Sequence, residues 1–452
     1  MPPPEPVRVG FVSLGCPKNL VDTEIMLGRL RDSGFALSAD VRDCDVIVVN
    51  TCGFIDPARR ESVNTILEMA EHKKKGRCRR LVVAGCMVQR YPRELREEIP
   101  EIDAFVDLDG LEKIVQAVRL DGRSAAADPA VPVSGTAHAL YDHRAVRVLA
   151  TPPHTAYLKI SEGCDRPCSF CAIPSIRGRM RSRTAGSLRL EAEDLARRGV
   201  KELILIAQDS TDYGRDLGDG TDLAALLRTL EPVPGIEWIR IHYAYPGRVT
   251  RELLETMAGS SKACRYLDIP LQHSDGAILK AMKRGGNGAA FLRMIRGIRR
   301  HLPGCALRTT FIVGFPGESR QAFGGLCEFV REAQFDHAGV FTYSSEEGTP
   351  ASALKDDVPA GLKEDRRARL MEIQSRISLA GNRDRLGKVF PVRVDGLEPD
   401  TRMLLVGRTE FQSPDVDGRV LITDGTAVPG QLVPVRMEEA HPHDLVGRID
   451  RA

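Results

Sequence analysis

From residue 7 onward, short apolar runs alternate with amphipathic stretches. Residues 7–14, 46–50, 80–84 and 104–106 read as strands, and apolar spacing between and after them predicts helices over 20–33, about 57–74, 92–98 and 110–120. Strands alternating with helices predict a parallel sheet with helices on both faces. Residues 121–150 break the rhythm with Ala-, Pro- and Gly-rich linker composition. Six more strand-like runs follow, at 155–160, 203–207, 238–243, 266–269, 307–313 and 337–343, each but the last leading towards a helical segment. A charged helix over 363–385, apolar at Leu370, Ile373 and Ile377, reads as a connector. Beyond it, short strands at 390–394, 403–407, 419–422 and 431–435 are punctuated by Gly396, Gly418, Gly425 and Gly430, the pattern of a small β-barrel. The expected architecture is α/β: a parallel-sheet domain at 7–122, a βα-repeat core at 150–381 and a small β-barrel at 383–451.

Length supports that division, since 452 residues exceed a single core. An apolar fraction of 42% with 28% charged residues is an ordinary soluble profile, and a formal net charge of +2 gives no overall electrostatic case for nucleic acid. The start, Met1 to Pro6, has no basic n-region and no apolar h-region, so it does not read as a signal peptide. Nothing approaches eighteen uninterrupted apolar residues, so no membrane span is expected. Eleven cysteines, an odd number, suit a reducing, cytoplasmic setting and metal ligation better than disulfides. Locally, charge says more. Residues 388–450 carry seven Lys plus Arg against eleven Asp plus Glu, a balance of −4, with Phe390 and Phe411 their only aromatics. A barrel that grips RNA wants a basic surface and stacking rings. An acidic one suits a basic protein.

The candidate chemistry centres on cysteines. Cys164, Cys168 and Cys171 form a C-x3-C-x2-C run directly after the 155–160 strand. Three thiolates on a short loop can hold three irons of a cubane cluster and leave the fourth open, whereas an electron-carrying cluster is closed by a fourth cysteine. A zinc site would want a second paired knuckle, and none lies nearby. A second trio is spread along the first domain: Cys16, Cys52 and Cys86 each follow a strand. In a parallel sheet those strand ends share one edge, where open α/β sheets bind ligands. Gly15, Gly53 and Gly85 would let backbone approach an inorganic core closely. The plain alternative is three core cysteines, which is how Cys44, Cys78, Cys264, Cys305 and Cys327 are read.

The C-x3-C-x2-C run, with Phe170 before its last cysteine, resembles the radical S-adenosylmethionine (SAM) signature. That resemblance implies an open iron that chelates SAM, and six βα units resemble the partial barrel of such enzymes, whose active residues cluster at C-terminal strand ends. It makes Phe170, Gln208, Gln272 and Glu318 candidate SAM contacts. A local hydrogen bond for the neighbouring His273, and interaction with a helix dipole for Glu318, are the plain alternatives. The basic run 177–183 reads by default as a solvated surface, or else as a rim attracting an acidic substrate or the SAM carboxylate. Together with Asn50-Thr51-Cys52-Gly53 and the second cysteine run, Gly15-Cys16-Pro17-Lys18-Asn19-Leu20-Val21-Asp22 resembles the methylthiotransferase family. Its wording is similar to the branch that modifies an aspartate of the twelfth small-subunit ribosomal protein, whereas the tRNA branch typically carries Gly-Cys-Gln-Met-Asn there. The tail resembles a TRAM module.

Over nearly the whole chain, the resemblance implies two 4Fe–4S clusters, on Cys16/Cys52/Cys86 and on Cys164/Cys168/Cys171, with SAM as cofactor. It further implies that a SAM-derived radical removes hydrogen from the aspartate β-carbon, which then takes a methylthio group held by the Cys16/Cys52/Cys86 cluster. The implied partners are the ribosomal protein, an electron donor and a sulfur source, with no membrane and no nucleic acid as direct substrate. A tRNA adenosine methylthiotransferase is the nearest alternative; a non-catalytic iron–sulfur protein with an RNA-binding tail is another.

Overall fold

A computed structural model describes residues 5–120, 137–400 and 402–450. Met1 to Pro4, the first part of the linker-like stretch and the outermost residues of two expected domain limits (121, 122 and 451) lie outside the described residues.

The first sheet holds β1 (Arg8–Ser13), β2 (Ala36–Ser38), β3 (Val46–Thr51), β4 (Arg80–Gly85) and β5 (Ala104–Val106), all parallel, in the order β2-β1-β3-β4-β5. Every residue of β3 and β4 is buried, because both faces are covered. Ile47, Val49, Leu81 and Val83 meet Ile66 and Met69 on one side, while Val46, Val48, Val82 and Ala84 meet Met26, Leu30 and Ile114 on the other. Strand β2 has no counterpart in the sequence pattern: three half-buried residues are too few to show a period. The helix expected over 110–120 is a 3-10 turn, Leu111–Lys113, followed by a single helical turn, Ile114–Ala117.

The second sheet is six-stranded, parallel and open. It contains β6 (Thr155–Lys159), β9 (Glu202–Ile206), β10 (Trp238–Ile241), β11 (Ala263–Asp268), β12 (Ala306–Val313) and β13 (His337–Thr342), neighbours in that order. Between β6 and β9 a two-stranded ribbon, β7 (Ser161–Glu162) with β8 (Arg181–Ser182), carries the cysteine loop. One face of the sheet (Leu158, Leu205, Ile239, Ile241, Leu307) packs on the surrounding helices. The Ala360–Arg383 helix is more than a connector: Leu370 and Ile373 are buried in that core, and Gln374 Nε2 donates to the Phe335 carbonyl at 2.7 Å.

The other face is covered by two foreign elements. Tyr157, Ile204 and Ile206 meet Val21 and Ile25 of the Pro17–Asp32 helix. That helix is therefore covered on two sides, with Met26 and Leu30 serving its own sheet and Val21 and Ile25 the second one, and it is exposed only at Arg29, Arg31 and Asp32 in its last turn. Its buried acids are paired, Asp22 with Lys159 (2.5 Å) and Arg177 (3.0 Å), and Glu24 with Arg147. The second cover comes from the C-terminal barrel, which closes in the order β14 (Val389–Leu397), β15 (Leu405–Arg408), β16 (Val420–Ile422), β18 (Leu445–Ile449), β17 (Leu432–Ala440). Residues 409–417 leave this barrel and lie on the sheet: Ser413 Oγ is 2.7 Å from His242 Nε2, Tyr266 Oη donates to Asp417 at 2.7 Å, and His337 Nε2 lies 2.8 Å from the Phe411 carbonyl. Strand β18 was not legible, being five residues of which two are apolar on the buried side. Among the described residues no helix is long and apolar enough to cross a membrane.

Candidate functional site

The first-sheet topology brings Cys16, Cys52 and Cys86 to one edge. Cys16 is the N-cap residue of the Pro17–Asp32 helix, Cys52 directly follows β3, and Cys86 opens the Cys86–Arg90 helix after β4. Glycines permit the approach. Gly15 has φ 88°, and a Cβ built there would lie 2.9 Å from Cys52 Cβ and 3.2 Å from its Sγ. A Cβ on Gly53 would lie 2.9 Å from the Cys86 carbonyl oxygen. Asn19 staples the edge: Nδ2 donates to the Leu14 and Thr51 carbonyls at 3.0 and 2.8 Å, and Oδ1 lies 3.4 Å from Cys86 Sγ.

Electrostatics divides the three thiols. Burial raises the pKa of Cys16, but Lys18, Arg177 and the N–H groups of Asn19 and Lys18 outweigh it and bring the thiol below its ordinary value. Burial pushes Cys86 up to about 12, partly offset by Arg177. Cys52 is raised, again by burial first. A metal deprotonates such thiols outright. Among the described residues no three His, Cys, Asp or Glu side chains are drawn tightly enough to hold a single ion, so neither trio is a ready-made mononuclear zinc site. Three thiols at one sheet edge, a cradle that a Gly15 Cβ would fill and an adjacent guanidinium fit an anionic iron–sulfur core.

The second trio lies on the loop between β7 and β8. Cys164 N–H donates to the Gly178 carbonyl at 3.0 Å and Cys171 N–H to the Cys168 carbonyl at 3.2 Å. At Gly163, φ 79°, a Cβ would lie 2.1 Å from the Arg179 carbonyl oxygen, so only glycine closes the base of this loop. Burial raises Cys164 to about 11 and Cys171 to about 12. The Arg166 backbone N–H donates to Cys164 Sγ at 3.4 Å, and the Arg284 guanidinium approaches Cys168 Sγ with Nη1 at 3.5 Å. Both guanidinium groups stack on Tyr245, at 4.1 and 4.6 Å from its ring centre, and Arg166 is fixed by Asp209 at 2.8 Å.

Arg177 joins the two trios. It follows the second trio by six positions, yet its Nη2 lies 2.7 Å from Asn19 Oδ1, 3.0 Å from Asp22 and 3.2 Å from Cys86 Sγ, while Nη1 lies 2.9 Å from Glu162. This corrects the expectation of a solvated basic run. Arg177 and Arg183 are each 2% exposed, the latter paired with Glu191 at 2.6 Å, and only the alternate residues turn outward, Arg179 most of all.

The strand-end candidates separate. Gln208 Nε2 donates to Glu162 at 2.7 Å, and its buried Oε1 has no partner among the described residues. Gln272 sits at φ 72°, held by backbone bonds to Thr310 and Ile312, and its Oε1 is likewise buried and unpartnered. Phe170 is half-buried against the cluster of Ile278, Met282, Phe315 and Tyr343. Glu318 is 3% exposed and occupied by the protein itself, accepting from Arg366 Nη1 at 3.0 Å and from the Gly314 N–H. It immediately precedes Ser319, the N-cap of the Arg320–Ala333 helix. His273 accepts from the Asp275 N–H at 2.9 Å, the local bond of its plain reading.

Three segments match family models: residues 8–107 an uncharacterized protein family, UPF0004; residues 158–330 the radical SAM superfamily; and residues 386–449 the TRAM domain. A protein of Koribacter versatilis named ribosomal protein uS12 methylthiotransferase RimO is 45% identical over 490 aligned positions, covering 99% of this chain and 97% of that one. A protein of the same name from Solibacter usitatus is 47% identical over 448, covering 98% and 95%. The chain belongs to the RimO family. Among solved structures, the radical SAM methyltransferase TsrM from Kitasatospora setae aligns with a TM-score of 0.57 over 76% of each chain at 15% identity, a likeness of fold alone.

For a RimO-family chain, the residues that sequence reasoning missed are those whose partners are remote: Arg177, Arg166, Arg284 and Tyr245. Tyr243 is another. It holds φ 62° just after β10, and its ring carries Lys18 Nζ at 3.4 Å. No local signal distinguishes these residues from ordinary surface basic or aromatic positions.

Proposed function

We propose that the chain transfers a methylthio group to the β-carbon of an aspartate in ribosomal protein uS12, using SAM and two 4Fe–4S clusters. Cys164, Cys168 and Cys171 would hold one cluster, and Cys16, Cys52 and Cys86 the other. Bound there, the first supplies the electron for reductive SAM cleavage and the second supplies a site for sulfur, chemistry that belongs to the cofactors while the protein positions them. Radical chemistry is the fitting class, because acid–base catalysis cannot remove hydrogen from so weakly acidic a carbon at neutral pH.

The single observation that carries the proposal is the Arg177 bridge, which ties the loop of one trio to the thiol of the other at 3.2 Å. Two centres so linked can serve one substrate. The chain's own part is positional: Asn19 and Arg177 fix the first trio's edge, while Arg166 and Arg284 place positive charge beside the second. The acidic barrel supports a protein substrate. Of its few basic residues, Arg393 and Arg408 are buried against the second sheet. Its aromatics face each other at 5.9 Å, and neither is an exposed platform for a base. Eleven free cysteines support a reducing compartment such as the cytoplasm; the electron donor and sulfur source would come from there.

Anaerobically reconstituted protein, given SAM, reductant and either uS12 or tRNA, tests the proposal. A methylthio mass increment on uS12 is the expected result, and labelling of tRNA alone refutes it. Absence of 5′-deoxyadenosine under strong reductant would indicate an electron carrier instead.

A further inference from the structure

Lys18 lies on the first turn of the Pro17–Asp32 helix, two residues beyond Cys16, and is 8% exposed. Among the described residues its ammonium makes no hydrogen bond and no ion pair; it rests 3.4 Å above the Tyr243 ring. That is unlike the other buried cations around it. Lys159 is held by Asp22 and Glu162 at 2.5 and 2.6 Å, Arg177 by Asp22 and Glu162 at 3.0 and 2.9 Å, and Arg308 by Asp268 at 3.1 Å. The acids near Lys18 are thus already committed. Glu162 serves Lys159, Arg177 and Gln208, while Asp268 serves Arg308 and the Tyr243 N–H. The negative group left beside it is the Cys16 thiol, whose ionisation Lys18 favours, so what the buried ammonium lacks is a carboxylate of its own.

The surroundings are held in place for such a ligand. Tyr243 occupies the left-handed region, φ 62°, where an aromatic side chain persists only when its neighbours over-determine it. Two strand ends on the same sheet expose complementary deficits, the unpartnered Oε1 atoms of Gln208 and Gln272. A cation with no carboxylate partner and, among the described residues, two acceptors with no donor match a carboxylate flanked by N–H groups, as in an aspartyl residue within a peptide.

We propose that the Lys18 ammonium receives the side-chain carboxylate of the substrate aspartate and so selects an acid over an amide or a base. This rests on the function proposed above. The chemistry fixes the place: the β-carbon is one bond from the carboxylate carbon, so a sulfur delivered from the Cys16 trio requires that carboxylate to sit beside the same trio. Lys18 is adjacent to Cys16, whereas SAM is assigned to the other trio. Lys18 is a positioning and specificity residue; it takes no proton and forms no bond to sulfur.

The test measures binding of reconstituted enzyme to uS12 and to uS12 with its target aspartate changed to asparagine, using wild type, Lys18→Met and Lys18→Arg. Iron, sulfide, SAM affinity and 5′-deoxyadenosine formation without uS12 are read on each. Wild type should prefer aspartate roughly 10- to 100-fold, the scale of one charged hydrogen bond. Lys18→Met should bring that ratio near one and raise KM for uS12 more than it lowers kcat, and Lys18→Arg should recover part of the preference. SAM affinity should not move, and comparison at equal iron loading removes the effect of Lys18 on the Cys16 thiol. Retained discrimination in Lys18→Met overturns the proposal, and so does a loss confined to SAM affinity, which would make the SAM carboxylate the ligand. A changed cluster reduction potential with unchanged uS12 binding also overturns it. If Lys18→Met fails to load iron, the wild-type ratio still decides, since a value near one excludes a carboxylate-selecting cation. Wild type that leaves uS12 unmodified fails the functional proposal instead, a separate result.

Discussion

Glu202 opens β9 and is fully buried, with Oε1 accepting from Arg240 Nε and Oε2 from Arg408 Nη2, both at 2.9 Å. The first arginine belongs to the second sheet and the other to the C-terminal barrel, so one carboxylate fastens two domains. Burial would raise its pKa, but Arg408 and Arg240 overcome that and drive it from 4.5 down to about 2. A folded pKa below the unfolded one means that the stabilisation is complete above about 4.5 and disappears as pH falls towards 2. A fall of that size corresponds to about 3 kcal/mol. Glu202→Gln keeps the shape but leaves two buried guanidinium groups short of charge, a defect costing about 3–5 kcal/mol in comparable pairs. Asp395, which also accepts from Arg408 at 2.8 Å, should hold the loss near 3 kcal/mol. Trp238, the only tryptophan, reports it directly, since the Arg393 and Arg240 guanidinium groups lie 4.8 and 5.8 Å from its ring centre. Urea titration followed by tryptophan fluorescence should show barrel release at lower urea in Glu202→Gln at pH 7, with the gap to wild type narrowing below pH 4.5. A gap below about 1 kcal/mol at pH 7, or one independent of pH, would refute the carboxylate's role as fastener.

Other outcomes concern the cysteine trios. Cys168→Ala should retain about half the iron, because one of two sites is lost, and should form no 5′-deoxyadenosine. Cys52→Ala should lose a similar share but still cleave SAM, with no methylthio transfer by mass spectrometry. Gly15→Ala forces an alanine into φ 88° with its Cβ 2.9 Å from Cys52 Cβ; about 1–2 kcal/mol of strain should appear in thermal melting, and iron at the first trio should fall. Arg177→Met should leave SAM cleavage by the second trio measurable while lowering uS12 modification more than tenfold, a loss of about 1.4 kcal/mol or more in the transition state.

Which cysteines share an edge was legible because the inference needs only strand order: in a parallel sheet, every residue just past a strand ends at the same side, whatever the side chains between them do. The βα rhythm was legible for the same reason, since buried strands such as β3 and β9 are continuous apolar runs. Destinations of charge were not. The basic run 177–183 has the local look of solvated surface, and what buries Arg177 is a pair of partners, Asn19 and Asp22, more than 150 positions away. The Pro17–Asp32 helix misleads similarly. Its Lys18, Asp22 and Glu24 look like a wet face and are instead buried, Asp22 meeting Lys159 of the second sheet and Glu24 meeting Arg147 of the stretch that leads into it.

That enclosure explains why the methylthiotransferase motif around Cys16 is polar at positions where a packing helix should be apolar. A helix whose only duty was to cover the first sheet could present Met26 and Leu30 and leave the rest to solvent. This one must also cover Tyr157 and Ile206 of the second sheet, and its first turn is capped by Cys16 of one trio. Apolar residues there would satisfy packing but leave Arg177 and Lys159 without anions, at a cost larger than the burial gained from one side chain. Asp22 answers both cations at once, at 3.0 and 2.5 Å. Polar spacing on this helix is therefore set by the domain it docks against rather than by the domain it belongs to. The Lys18 ammonium, on the same turn and left without such an answer, marks the point where the docking ends and the substrate begins.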